Sequence, residues 1–198
     1  MRLLLWVGVT VSAATLAVST GAQQSGDRVA LVIGNAAYPD ASTPLSTTIS
    51  DVRAVAEEFR RDGFDVDLKE NVGKEDMRRA IDAFTGKIRS GAAALFYFSG
   101  YGIQVARQSY LLPINVQVWT EAEVRREGFS VDNLSAEMQR KGAKVKIIIL
   151  DAARRNPFER RFRASPAGLA ALDTPGGTLA MYSTGPGMLL TTDQHPLI

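Results

Sequence analysis

Cysteine is absent from the chain, and histidine occurs once, as His195 near its end. The first absence excludes disulfides, thiolate metal sites and a cysteine nucleophile. The second removes a Cys–His pair and any site built from several histidines. Glycine-rich phosphate loops are missing too. The first apolar run ends in Ile33-Gly34-Asn35-Ala36-Ala37-Tyr38, without the glycine spacing that lets a pyrophosphate approach a helix start, and no Walker sequence occurs. Neither sign of charge dominates: 23 Lys and Arg against 21 Asp and Glu leave a formal net charge of +2, too little for a strong field toward nucleic acid or anionic lipid. No carboxylate or histidine cluster has metal-ligand spacing, so no metal and no cofactor are expected. What the chain does have is apolar substance. With 45% hydrophobic and 22% charged residues over 198 positions, it can build the core of one ordinary domain.

The N-terminus reads as a leader. Met1-Arg2 is followed by an apolar run from Leu3 to Val18 and then by Ser19-Thr20-Gly21-Ala22-Gln23. A short basic start, an apolar stretch and small residues make a secretory signal peptide over residues 1–22, with cleavage expected after Ala22. The rival is an uncleaved anchor. The run contains Gly, Ser and Thr and falls short of the roughly 20 strongly apolar residues that a spanning helix prefers. The mature chain is therefore expected to be secreted or periplasmic, with no stable membrane insertion once the leader is removed.

Beyond a polar lead-in, Arg28 to Ile33 is a continuous apolar run closed by Gly34-Asn35, the pattern of a buried parallel strand. Ala36 to Thr48 carries two prolines and several Ser and Thr residues and reads as a loop. Ser50 can cap a helix bearing Val52, Val55 and Phe59 and ending near Asp62-Gly63. Phe64 to Leu68 alternates, as an edge strand does. Met77, Ile81, Phe84 and Ile88 form the stripe of a second helix that stops at Ser90-Gly91. Ala92 to Phe98 is a solid apolar run, the central strand by composition. Ile103 to Pro113 predicts a hairpin, Thr120 to Glu127 a short exposed helix, and Ser130 to Gly142 a third helix with Val131, Leu134 and Met138 on one face. Val145 to Leu150 is another buried strand, ending at Asp151, and Gly176 to Ser183 contains a last one.

Apolar strands alternating with helices predict an α/β fold: a mostly parallel sheet with helices on both faces. In such sheets, chemistry gathers beyond the carboxyl ends of the central strands, here Ser99-Gly100-Tyr101-Gly102 and Asp151-Ala152-Ala153-Arg154.

Those strand ends carry a resemblance. Arg28-Val29-Ala30-Leu31-Val32-Ile33-Gly34-Asn35-Ala36-Ala37-Tyr38, Asp51-Val52-Arg53-Ala54-Val55-Ala56, Leu95-Phe96-Tyr97-Phe98-Ser99-Gly100-Tyr101-Gly102 and Tyr110-Leu111-Leu112-Pro113 begin the series. Ile149-Leu150-Asp151-Ala152-Ala153-Arg154-Arg155-Asn156-Pro157-Phe158 and Gly176-Gly177-Thr178-Leu179-Ala180-Met181-Tyr182-Ser183-Thr184 complete it. In this order they resemble the caspase-like cysteine peptidases, peptidase C14, in the bacterial metacaspase branch. The resemblance implies a caspase-like three-layer sandwich over residues 28–198. It also implies that the family's last helix and strand would follow Pro186-Gly187, so that the domain is truncated at its C-terminal end.

The resemblance also marks two departures. Where the family has the general-base histidine of Ser-Gly-His-Gly, this chain has Tyr101. Where it has the nucleophilic cysteine of Asp-Ala-Cys-Arg, this chain has Ala153. Alanine has no lone pair with which to attack a carbonyl, and a phenol with a reference pKa of about 10 is a poor base at neutral pH. Tyr101 also reads simply as a ring filling the space of the histidine. Catalytic residues are thus expected to be none. The pocket that the family uses for a basic side chain is implied at Asp51, Ser99 and Asp151, where two carboxylates would suit a guanidinium or ammonium group. The competing reading makes Asp51 a helix cap and Asp151 an acceptor for local backbone donors.

Three functional readings follow. The chain is a non-catalytic pseudopeptidase that binds peptides or proteins with Arg or Lys. Or it is an active hydrolase, cysteine-type by ancestry but using other residues; Ser99, Ser183 and Thr184 are candidate nucleophiles, but only His195 could serve them as a base. Or it is a non-functional truncated paralogue. Arg154, Arg155, Arg160, Arg161 and Arg163 make a basic stretch that reads as an exposed loop. Without interleaved aromatics it offers charge but no base readout, and nucleic acid is not an expected partner.

Overall fold

The computed structural model describes residues 28–39, 45–152, 168–185 and 187–189. The expected leader, Ala153, the arginine-rich stretch and His195 lie outside the described residues.

The apolar runs become strands of one parallel sheet. β1 (Arg28–Gly34) and β3 (Ala93–Ser99) are joined by β7 (Val145–Asp151), with β2 (Asp65–Glu70) and β8 (Thr178–Tyr182) at the edges, in the order β2-β1-β3-β7-β8. Both faces of β1 and β3 are buried, which explains why those sequences are continuously apolar rather than alternating. β2 lies at an edge, as its alternation predicted, and none of its side chains is fully buried.

Helix α1 (Thr48–Arg61) covers one face. Val52, Val55 and Ala56 pack on Ala30 and Val32 of β1 and on Leu95 and Tyr97 of β3. The helix starts three residues earlier than the sequence suggested. Thr47 is the cap residue and makes no side-chain cap bond, while Ser50 lies inside the first turn and donates its hydroxyl to the Thr47 carbonyl. The approach of α1 to β1 depends on Gly34: a Cβ there would stand 2.5 Å from Val52 Cγ2, well inside contact distance.

The opposite face is covered by α2 (Lys74–Lys87) and α4 (Val131–Arg140). Met77, Ala80 and Phe84 of the first and Leu134 and Met138 of the second pack on Leu31, Phe96, Ile148 and Leu150. Ile88, expected on the α2 stripe, is buried just past the helix as its C-cap. Ser130 caps α4 as predicted, its hydroxyl accepting the Asn133 N–H at 3.2 Å.

The predicted hairpin is β4 (Gly102–Val105) with β5 (Gln108–Leu111). The two-residue β6 (Phe129–Ser130) extends it into a small antiparallel sheet, and α3 (Glu121–Glu127) packs on β4. This unit carries a second small core of Tyr38, Tyr101, Ile103, Val105, Tyr110, Leu112, Val118 and Val124. It sits where the chain leaves β3, beside the carboxyl ends of the main sheet. Among the described residues, no helix is long and apolar enough to cross a membrane.

Candidate functional site

Parallel pairing places Gly34, Ser99 and Asp151 side by side at the carboxyl ends of β1, β3 and β7. The backbone knits these ends together. Asn35 N–H donates to the Ser99 carbonyl at 2.8 Å, Gly100 N–H to Asp151 O at 3.2 Å, and Gly102 N–H to Ala152 O at 3.1 Å. Residues far apart in sequence therefore reach one point because three strands end in register.

Two of the three predicted pocket residues meet directly. The Ser99 hydroxyl donates to Asp151 Oδ2 at 3.0 Å, and Thr48 Oγ1 lies 3.4 Å from the same hydroxyl. A serine has one proton, and the shorter of the two contacts gives it to Asp151, which leaves the Thr48 hydroxyl to donate to Ser99. All three side chains are buried, each only 1% exposed. Asp51 stands one turn beyond Thr48 in α1. Positions three apart share a helix face, so this half-buried carboxylate lies on the side of α1 that Thr48 presents to the strand ends. Two residues further on, Arg53 is held by Glu70 through two 2.7 Å bonds. Those bonds keep the Glu70 carboxyl below its usual range and raise the guanidinium pKa, but the pair is exposed and stabilises little.

Sequence reasoning missed Thr48. Its only signal was its place three residues before Asp51. Tyr38 was missed as well, and it organises the other side of the site. Its hydroxyl donates to the Leu112 carbonyl at 2.7 Å and accepts the Tyr101 N–H at 3.1 Å. The two rings meet edge to face with centroids 4.8 Å apart and an interplanar angle of 76°, the arrangement that the aromatic quadrupole favours. Tyr101 is thus a buried core ring, fixed by its backbone N–H, by its carbonyl accepting Leu112 N–H at 2.9 Å, and by Tyr38. Gly100 makes the contact possible: a Cβ there would lie 2.7 Å from the Tyr38 hydroxyl.

Among the described residues, no group of three or more His, Asp and Glu side chains could hold a metal. The arrangement offers a buried acid and hydroxyls at the end of a parallel sheet. An open apolar cavity of about 240 Å³ lies elsewhere, between α2 and α4, lined by Ile81, Phe96, Phe129 and Leu134 among others.

A central parallel sheet with helices on both faces and a hairpin unit at its carboxyl end defines a caspase-like α/β domain. Comparison with known proteins agrees. The family model for the caspase domain of peptidase C14 matches residues 27–195, and the chain belongs to that family. The chain is 28% identical over 134 residues to human mucosa-associated lymphoid tissue lymphoma translocation protein 1. It is 27% identical over 141 residues to the mouse homologue. These matches cover 67% and 71% of this chain but 16% of either relative, so it spans only a small part of their length. Among solved structures, the Drosophila initiator caspase Dronc superposes with a TM-score of 0.55 at 12% identity, over 92% of this chain and 70% of that one. Pro-sf-caspase-1 gives 0.55 at 16% identity, over 81% and 62%. These structural likenesses establish the fold.

Proposed function

We propose that this chain is an exported pseudopeptidase: a caspase-like domain that no longer cleaves peptides and binds those carrying a basic residue. The observation that carries this reading is the buried hydrogen-bonded line of Asp151, Ser99 and Thr48 at the strand ends, with Asp51 in the same first turn of α1 as Thr48. It puts one carboxylate at the carboxyl end of the sheet, the place where such folds bind ligands, and Asp51 is read as the second. A guanidinium brought there would meet Asp51 from the solvent side. Ser99 would connect it to the buried Asp151 through its hydrogen bond. Loss of catalysis follows from Tyr101 and Ala153 at the places where the resemblance puts the base and the nucleophile. A buried neutral phenol engaged in ring packing does not accept a proton at neutral pH.

Calorimetry on paired peptides tests the binding reading. A peptide ending in Arg should bind about ten- to a hundredfold more tightly than its norleucine analogue, because a charge-assisted bond is worth roughly 1.5–3 kcal/mol. The preference should shrink with added salt, though less than for a surface pair. Asp151→Asn keeps an acceptor for Ser99, so the fold should survive by circular dichroism while the preference falls. Equal affinities for the two peptides, or an Asp151→Asn chain that merely unfolds, would show that the carboxylates are structural.

Export has its own check. Mass spectrometry of the protein recovered outside the cytoplasm of a bacterial host should give a chain beginning at Gln23. A product that retains Met1, or that stays with the membrane through carbonate extraction, would overturn this part of the proposal.

A further inference from the structure

The chain that leaves β8 brings one more hydroxyl to the strand ends. Parallel pairing of β7 with β8 sets Leu150 beside Tyr182, and the ladder runs one step further, with Ser183 N–H donating to the Leu150 carbonyl at 3.1 Å. That step places Ser183 beside Asp151. Paired positions on neighbouring strands turn their side chains to the same face, about 4.8 Å apart. Ser99, Asp151 and Ser183 therefore follow one another across β3, β7 and the end of β8, on the face of the sheet that also carries Ile147 and Ile149.

The bonds along this line stop short of Ser183. Thr48 and Ser99 bond to each other, and Ser99 bonds to Asp151, whereas Ser183 Oγ is buried and has no hydrogen-bond partner among the described residues. Gln104 Oε1 and Thr178 Oγ1 share that condition. Gln104 stands in register with Ser109 and Thr178 with Lys146, so Ser183 is the one of the three set beside a carboxyl. Buried polar groups in native folds are nearly always bonded, and an exception next to a candidate site marks a place for a ligand's hydrogen bond.

The neighbours decide which ligand suits it. An ammonium is a point charge whose donors share one nitrogen, so its pairing depends on the carboxyl and gains little from a neutral oxygen to one side. A guanidinium is a planar fork with donors on three nitrogens, and acceptors set side by side hold it in one orientation. Resting on the basic-peptide reading of this site, we propose that Ser183 is a further binding residue in it. Its hydroxyl accepts one N–H of a guanidinium whose other nitrogens face the carboxyl groups, and this neutral acceptor makes the site select arginine over lysine.

Calorimetry on the purified chain, with four peptides that differ only in their last residue, tests the assignment. The Arg peptide should bind about tenfold more tightly than the Lys peptide. Asymmetric dimethylarginine keeps the charge but loses the paired N–H donors, so it should fall to the Lys level or below. In Ser183→Ala, Arg and Lys should come within about threefold of each other while both stay above norleucine. That change deletes a hydroxyl that bonds nothing, so the melting temperature should hold or rise. Equal binding of Arg and norleucine by the unaltered chain would remove the basic-peptide reading and the role of Ser183 together. An Arg preference over norleucine that stands, with an Arg-to-Lys ratio indifferent to Ser183→Ala, would overturn the role of Ser183 alone, and is the result expected if a bound water occupies its hydroxyl. A Ser183→Ala chain that melts several degrees lower would show the hydroxyl to be structural and would overturn that role as well.

Discussion

The purified chain should leave arginyl and lysyl peptide reporters uncut, at rates indistinguishable from buffer, and should ignore thiol-directed covalent inhibitors because it has no thiol. The expected deficit against an active member of the family is several orders of magnitude. Removing a nucleophile or its base costs about 10⁴–10⁶ in rate, and losing both costs little more, because the two act as a unit. The informative variant is the double one. Tyr101→His with Ala153→Cys should regain measurable cleavage after Arg or Lys, whereas either single change should not. The reason lies in the backbone. Tyr101 N–H is held by the Tyr38 hydroxyl at 3.1 Å and Tyr101 O by Leu112 N–H at 2.9 Å, so the main chain at this position is set without help from its own side chain. A histidine would inherit that placement. Cleavage by the unmodified protein that copurifies with it through successive columns would refute the pseudopeptidase reading.

Asn35→Leu should lower stability by about 2–4 kcal/mol, a drop of roughly 5–15 °C in Tm for a chain of this size. Asn35 is fully buried at the end of β1. Its Oδ1 accepts Val72 N–H at 2.9 Å, and its Nδ2 donates to Leu112 O at 3.2 Å and to Val72 O at 3.4 Å. Leucine matches the volume but leaves the Val72 N–H buried without an acceptor, which costs about 1–3 kcal/mol. The two carbonyls are better protected. Leu112 O still accepts from Tyr38 and Val72 O from Ile114, so the damage concentrates on one donor. The branched side chain adds strain where the amide was flat. Because Asn35 ties the loops after β1, β2 and β5 together, the Tyr38–Tyr101 contact should loosen as well, visible as a reduced near-ultraviolet dichroism of tyrosine. A loss below about 0.5 kcal/mol in urea titration would show that water satisfies Val72 and that the network is dispensable.

The sequence by itself determined the layers. Runs such as Leu31-Val32-Ile33 and Leu95-Phe96-Tyr97-Phe98 have no polar residue to turn to water. They can only be strands covered on both faces, and a sheet of such strands needs helices with stripes like Val52, Val55, Phe59 or Met77, Phe84. Strand ends follow from the same pattern, and the family resemblance marked Ser99 and Asp151 there as candidates before any coordinates. Helix starts were less legible. Thr47, Thr48 and Ser50 are all plausible caps by type, and packing against Gly34 and Ser99 rather than cap chemistry set where α1 begins. Register and long-range pairing were left to the tertiary structure. Nothing local in Thr48 links it to Ser99, 51 positions away, and nothing in Tyr38 announces that its hydroxyl will hold the backbone of Tyr101. Local pattern encodes which face of an element is apolar, whereas a hydrogen bond between distant side chains exists only once several elements have been stacked, and the polar centre of this domain is made of such bonds.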